Sequence, residues 1–311
     1  MTTAYLFHPA GLGHETPPGH PEQIARLEAV EAALASPGFA DLVRLDPPEA
    51  TEDQIRRAHP QTHIDAIRAA IPDHGQRALD ADTHVSAGSL QAALRAAGAL
   101  VAAVDAVMAG EVRNAFCAGR PPGHHAETAT PMGFCLFGNA VIGARHAAAA
   151  HGLTRIAIVD FDVHHGNGTQ DLIWDDPAIA LASTHQSPLY PGTGQAQDTG
   201  AHGQILNVPL PPGADGPAFR RAFERQVMPF VAAQRPELVI VSAGFDAHAA
   251  DPLANLSLVE ADFAWVTHRL CDLADAHCAG RLISTLEGGY DLDALGASVA
   301  AHVGVLMERG K

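Results

Sequence analysis

The sequence predicts an α/β protein, a mainly parallel, doubly wound sheet flanked by helices, in one domain over residues 1–311. Three observations point there. From residue 112 onward, short β-branched runs alternate with longer alanine-rich segments, the pattern of successive βαβ units. No internal repeat, low-complexity tail or linker divides the 311 residues, a length normal for one large α/β unit. Histidines, aspartates and a tyrosine directly follow several strand-like runs, where open α/β sheets bind ligands.

The elements follow in order. Residues 1–110 read as largely helical and are expected to pack around the sheet. Within them the alanine-rich run 90–109 carries Arg95 and Asp105, so it is expected to be a buried helix and not a membrane span. Strands are expected at 112–117, 155–160, 179–183, 204–208, 238–242 and 281–285. Helices are expected at 139–150, 217–233, 259–277 and 292–307.

Composition narrows the function. With 47% hydrophobic and 17% charged residues, the chain can bury a large core, and because aromatics make up only 5%, alanine does much of the packing. The first twenty residues show no basic segment followed by an apolar one, so no signal peptide and a cytoplasmic location are expected. Lys and Arg number 19 against 35 acids, a net −16 that argues against nucleic acid as a partner. That charge would attract cationic substrates such as lysine-rich tails or polyamines, although acidity also serves solubility alone. The four cysteines form no C-x-x-C pair, so neither a zinc ribbon nor a disulfide framework is indicated. A homo-oligomer is compatible with the chain, but no residue argues for one.

The residues after the strands carry the chemistry. Asp160, Asp162 and His164 are spaced by two, so in an extended segment all three face one side. A carboxylate and an imidazole are reasonable zinc ligands, and Asp246, after another strand, can supply a third, leaving a position open as catalytic zinc sites do. An isolated Asp-x-His is more often a surface turn, and the second strand end is what weighs against that. His124 and His125 stand side by side in a Pro-Pro-Gly-His-His turn and offer a general base near neutral pH. Alone, such a pair is usually just solvated. Tyr290, after two glycines, can donate its hydroxyl to a developing oxyanion. A lone tyrosine there more often packs.

Taken together, Arg120-Pro121-Pro122-Gly123-His124-His125, Gly133-Phe134-Cys135, Asp160-Phe161-Asp162-Val163-His164-His165-Gly166-Asn167-Gly168-Thr169, Ser242-Ala243-Gly244-Phe245-Asp246 and Glu287-Gly288-Gly289-Tyr290 resemble the signature segments of class II-type histone deacetylases and their bacterial relatives, histone deacetylase-like and acetylpolyamine amidohydrolases. With Gly19-His20-Pro21-Glu22, the resemblance spans almost the whole chain. It implies the arginase–deacetylase fold and a zinc-dependent hydrolase removing acetyl groups from primary amines. It assigns Asp162, His164 and Asp246 to zinc, and His125 to general base. His124 becomes an electrostatic partner held by Asp160, and Tyr290 the donor that polarises the acetyl carbonyl. Asn167 falls where the partner of His125 sits, and a neutral partner should leave that histidine less basic. The resemblance further implies a potassium ion near the zinc, held by Asp160, Asp162, His164, Ser183 and Thr184. Gly133 and Phe134, with Tyr190 opposite, would wall a narrow tunnel for a linear alkyl chain.

Three positions depart from the pattern. Gln23 stands where relatives often carry arginine, which puts an anion contact at the product exit in doubt. Tyr190 replaces a frequent phenylalanine. Leu253 stands where polyamine-selective relatives can have a glutamate, which tilts the substrate toward acetyl-lysine over acetylpolyamines or other small acylated amines. Two rival readings are a dinuclear manganese ureohydrolase and a silent binding module. The first lacks its extra aspartates, since Gly166 and Gly244 occupy those spacings. The second would show a lost ligand or tyrosine, and none is lost.

Overall fold

The computed structural model describes residues 2–311. The strands are β1 (Thr3–Phe7), β2 (Val43–Leu45), β3 (Gln76–Ala78), β4 (His84–Ser86), β5 (Asn114–Ala118), β6 (Ile156–Asp160), β7 (Ile179–Gln186), β8 (Ile205–Leu210), β9 (Leu238–Ala243) and β10 (Leu282–Leu286). The helices are α1 (Ala25–Leu34), α2 (Glu52–Ile55), α3 (Gln61–Ala70), α4 (Ser89–Met108), α5 (Asn139–His151), α6 (Asn167–Ile173), α7 (Gly216–Ala222), α8 (Met228–Gln234), α9 (Glu260–Cys278) and α10 (Leu292–Arg309). Eight strands form one sheet in the order β2-β1-β5-β10-β9-β6-β7-β8, every pair parallel, and β3 and β4 form a separate antiparallel ribbon.

The central strands are apolar on both faces because helices cover both. Period two divides their side chains between two cores. Ala157, Val159, Val239 and Val241 join α1, α9 and α10 on one side, and Ile156, Ile158, Leu238 and Ile240 join α4 and α5 on the other. Helix α4 is long and apolar enough to cross a membrane, yet most of it is buried in this second core, as expected of 90–109.

Two expectations need correction. Residues 1–110 are not simply helical, because β1 and β2 extend the main sheet and β3–β4 add a ribbon. The five-residue β1 is too short for a periodicity signal, and its burial comes from partners on both sides. The helix expected over 217–233 is interrupted by a π-turn at Phe223–Val227. Pro229 lacks the N–H that would bond one turn back, and the ladder rearranges just ahead of it.

His302 shows how polar groups survive in this core. It is fully buried, with Nδ1 2.6 Å from Thr267 Oγ1, Nε2 2.8 Å from Ser284 Oγ, and its ring against Phe116, Phe161 and Phe245. Burial pushes its pKa down to about 3, so the folded chain holds it neutral. Below pH ~6.5 the unfolded chain takes up a proton that the folded one refuses. Stability therefore falls from about pH 6.5 toward 3, at roughly 1.4 kcal/mol per pH unit for each such histidine. Urea melts between pH 6 and 4.5 should show this slope, and His302→Gln should flatten it by about that share. An unchanged slope in the variant would refute the assignment.

Candidate active site

Strands β5, β10, β9 and β6 are neighbours, and their carboxyl ends open into the four segments singled out above. The sheet thus delivers the His124-His125 turn, Tyr290, Asp246 and the Asp160–His164 segment to one cleft.

Asp162, His164 and Asp246 converge, all buried, with His164 Nδ1 3.1 Å from both Asp162 Oδ1 and Asp246 Oδ2. Backbone donors fix the carboxylates: His164 N–H reaches Asp162 Oδ1 (2.8 Å), Gly288 N–H reaches Asp162 Oδ2 (2.8 Å), and Val163 N–H reaches Asp246 Oδ1 (3.0 Å). Space here is tight. A Cβ at Gly288 would fall on the carboxylates of Asp246 and Asp162, and one at Gly244 on Asp162. Burial disfavours charge on His164, but the hydrogen-bonded Asp162 and Asp246 carboxylates overrule it and raise its pKa to about 10.

These residues fit a zinc ion. Four ligands about 2.0–2.1 Å from a tetrahedral centre lie about 3.3 Å apart, close to the separations found. Two buried carboxylates beside one imidazole are costly unless a cation joins them. The donor set is the oxygen-and-nitrogen set that zinc accepts.

His125 is buried beside the ligands, and its tautomer follows from its partners. Asn167 Nδ2 donates to Glu127 Oε1 (2.8 Å), which turns Asn167 Oδ1 toward His125 Nδ1 at 2.7 Å. His125 therefore carries its proton on Nδ1 and presents the Nε2 lone pair to the cleft. Burial, helped by the His124 and His164 rings, holds its pKa well below the usual imidazole value. His124 is the opposite case. Burial disfavours its charge, yet the Asp162 and Asp160 carboxylates overrule it and raise the pKa well above the usual value. Its Nδ1 donates to Asp160 Oδ2 at 3.0 Å. The two adjacent rings, centroids 4.0 Å apart, thus divide into a cation and a neutral base.

Tyr290 is nearly buried, and burial keeps its hydroxyl protonated, a donor throughout the physiological range. With Asp82, His125, Gly133, Phe134, His164, Leu189, Tyr190 and Leu253 it lines a cavity of about 230 Å³. Gly133, Phe134 and Tyr190, expected at the tunnel, line it together with Leu253. The Phe134 ring meets Tyr290 edge-on at 5.9 Å, and Tyr190 meets His125 at 5.3 Å. The Tyr190 loop is held from beneath, where His165 Nδ1 lies 2.8 Å from Thr193 Oγ1 and His185 Nε2 lies 3.0 Å from Gly194 O.

Of the residues expected at a potassium site, Ser183 is in register with Asp160 and its Oγ lies 2.9 Å from His185 Nδ1. Thr184 Oγ1 is buried without a hydrogen-bond partner.

Several residues escaped the sequence reading. Glu287 receives Gly123 N–H (2.7 Å), His124 N–H (3.2 Å) and Ser242 Oγ (3.0 Å), so it anchors the histidine turn, and burial raises its pKa to about 7. Gln23 is exposed, but Arg26, three residues on, reaches beneath the tyrosine. Its Nε donates to Gly289 O (2.6 Å), Nη1 to Glu22 Oε1 (3.0 Å), and its guanidinium lies 4.9 Å from the Tyr290 ring centre. Arg120 clamps the same Glu22, Nη2 to Oε2 at 2.7 Å. The i,i+4 pair Glu22–Arg26 was the available signal. Asp82 faces the tunnel from the turn before β4 and left no motif.

Asp251 is the other omission. Its Oδ2 accepts Tyr290 N–H (2.8 Å) and its Oδ1 accepts Leu253 N–H (2.9 Å), tying the tyrosine to the tunnel wall. Asp251→Ala should lower kcat roughly 10- to 100-fold through misplacement of Tyr290, with KM little changed. Equal losses in kcat and substrate affinity would contradict that division.

Comparison with known proteins agrees with this geometry. The sequence profile described as "Histone deacetylase domain" matches residues 20–306. The chain is 41% identical to the chloroplastic histone deacetylase 14 of Arabidopsis thaliana, over 94% of this chain and 73% of that protein. It is 38% identical to the histone deacetylase-like amidohydrolase of Pseudomonas aeruginosa, over 88% and 73%. The crystal structure of the HDA15 HD domain superposes with a TM-score of 0.93 at 36% identity, covering 99% of this chain and 88% of that one.

Proposed function

Because the chain belongs to the histone deacetylase family, we propose that it hydrolyses the acetyl amide of acetylated primary amines with one zinc ion held by Asp162, His164 and Asp246. The observation that carries this reading is the buried Asp162–His164–Asp246 cluster at the floor of a tunnel lined by His125 and Tyr290. Bound there, zinc would supply Lewis acidity toward the amide carbonyl and make the attacking water more acidic.

The chain's own residues do the rest. The slot between Phe134 and Tyr190, with Gly133 and Leu253, takes a linear alkyl stem and rejects bulky amides. Tyr290 donates its hydroxyl to the carbonyl oxygen, where negative charge grows. His125 Nε2 accepts the proton of the attacking water and passes it to the leaving amine, while Asn167 holds the ring in the required tautomer. His124, kept cationic by Asp162 and Asp160, lowers the energy of negative charge developing beside it. The unpartnered Thr184 hydroxyl next to the Asp160–Ser183 pair supports a potassium ion at that strand end.

The apolar Leu253 in the wall favours acetyl-lysine-like substrates. Asp82, lining the same cavity, supports the second reading, an acetylpolyamine carrying a free ammonium group. The test is turnover of a fluorogenic acetyl-lysine peptide and of acetylputrescine, each with and without a chelator. Chelator-sensitive release that zinc restores is the expected result, and the ratio of the two rates assigns the substrate. A folded, zinc-loaded protein that turns over neither would overturn the reading.

A further inference from the structure

Helices α4 and α5 bring three metal-competent side chains together at a place unconnected with the cleft. Asp105 lies in the last turns of α4, and His146 and His151 in the last turns of α5. Helix α4 leads into the start of β5, and α5 into the start of β6. In a parallel sheet their ends therefore lie at the amino edge, opposite the edge that carries the active site. Both imidazoles aim Nε2 at one atom, Asp105 Oδ1, each at 2.7 Å. The three ligand atoms all lie within 4.8 Å of one another. The geometry points to a second divalent transition-metal site, formed by Asp105, His146 and His151 and stapling α4 to α5.

The donor set decides the class of ion. Two imidazole nitrogens and one carboxylate oxygen suit Zn²⁺, Ni²⁺ or Cu²⁺, whereas Ca²⁺ and Mg²⁺ prefer oxygen throughout. His146 is nearly buried, His151 about a quarter exposed and Asp105 about half exposed, at 7, 26 and 53%. The site thus combines one fixed ligand with two that adjust, and solvent on the open side completes the coordination. A single ion bonded to all three replaces two hydrogen bonds that now crowd one oxygen.

Arg57 makes the site testable. Its Nη1 bonds to His146 Nδ1, which places the ring proton on Nε2, facing Asp105. To ligate through Nε2, His146 must move that proton to Nδ1, so Arg57 has to turn away. No carboxylate pairs with Arg57 among the described residues, so little holds it in place. Its charge nevertheless opposes an incoming cation. Removing Arg57 should tighten metal binding, which a simple hydrogen-bonded triad has no reason to show.

The experiment is calorimetric titration of the chain with Zn²⁺, and separately Ni²⁺, at pH 7.5. Wild type should bind two equivalents. Asp105→Ala and His151→Ala should each bind one and keep full deacetylase activity. His164→Ala should lose only the other equivalent. Arg57→Ala should bind the second ion roughly tenfold more tightly. A wild type whose only equivalent is lost in His164→Ala, or two equivalents surviving His151→Ala, would overturn the site. Failure of the catalytic reading would instead appear as a single wild-type equivalent that His164→Ala keeps and His151→Ala loses.

Discussion

Asp246→Asn is expected still to fold without metal, yet to gain nothing from zinc and to lose at least ~10³-fold in kcat. The buried cluster holds two carboxylates against one imidazole. Removing one charge leaves Asp162 and His164 as a balanced pair, and the asparagine oxygen can still accept Val163 N–H. Stability without metal should therefore fall by about 1–3 kcal/mol, since the variant strands no buried charge but turns an amide N–H toward the His164 N–H. With zinc the two proteins diverge. An ion bound only by the folded wild type adds about 4 kcal/mol at a thousandfold excess over Kd, and the variant forgoes it. Lewis-acid assistance is worth several kcal/mol, and 1.36 kcal/mol is tenfold in rate, which sets the kinetic loss. Melting with and without zinc, beside the activity assay, separates these effects. A variant that zinc stabilises as fully as wild type would remove Asp246 from the ligand set.

The residues of the cleft were legible because each follows a strand-like run, and an α/β sheet gathers such positions at one edge. The strand order was not legible. Asn114 pairs with Leu282 and Ile156 with Leu238, registers that no local pattern encodes. The supports of the site were hidden for the same reason. Asp251 looks like an ordinary loop residue until the fold brings Tyr290 N–H to it from 39 positions away. Glu22 and Arg26 look like a solvent-facing helical pair, and only the approach of Arg120, 98 residues on, makes them a buried cluster beneath the tyrosine. Glu287 stood inside a recognised motif without a role, because its partners, Gly123 and Ser242, lie on other strand ends. The gathering of these side chains in one cleft was thus readable from residue type and position after a strand. Positioning was not, because it depends on contacts between distant segments.

His125→Ala should lower kcat by ~10²–10⁴-fold, the range for loss of a positioned general base, while leaving zinc content and occupation of the tunnel intact. The pH profile gives the sharper test. A general base at His125 has to be neutral, so activity is expected to fall on the acid side as the ring takes up a proton. Burial and the adjacent His124 and His164 rings depress its pKa, which places that acid limb below the ordinary value near 6.5. Asn167 is neutral and contributes an oxygen but no charge. Asn167→Asp would set an anion 2.7 Å from Nδ1 in the same geometry, favouring the imidazolium and raising its pKa. The acid limb should then move to higher pH. The rate on the plateau should change far less than in His125→Ala, because the ring and its tautomer are kept. A limb that stays in place when Asn167 becomes aspartate would mean that some group other than His125 carries the proton.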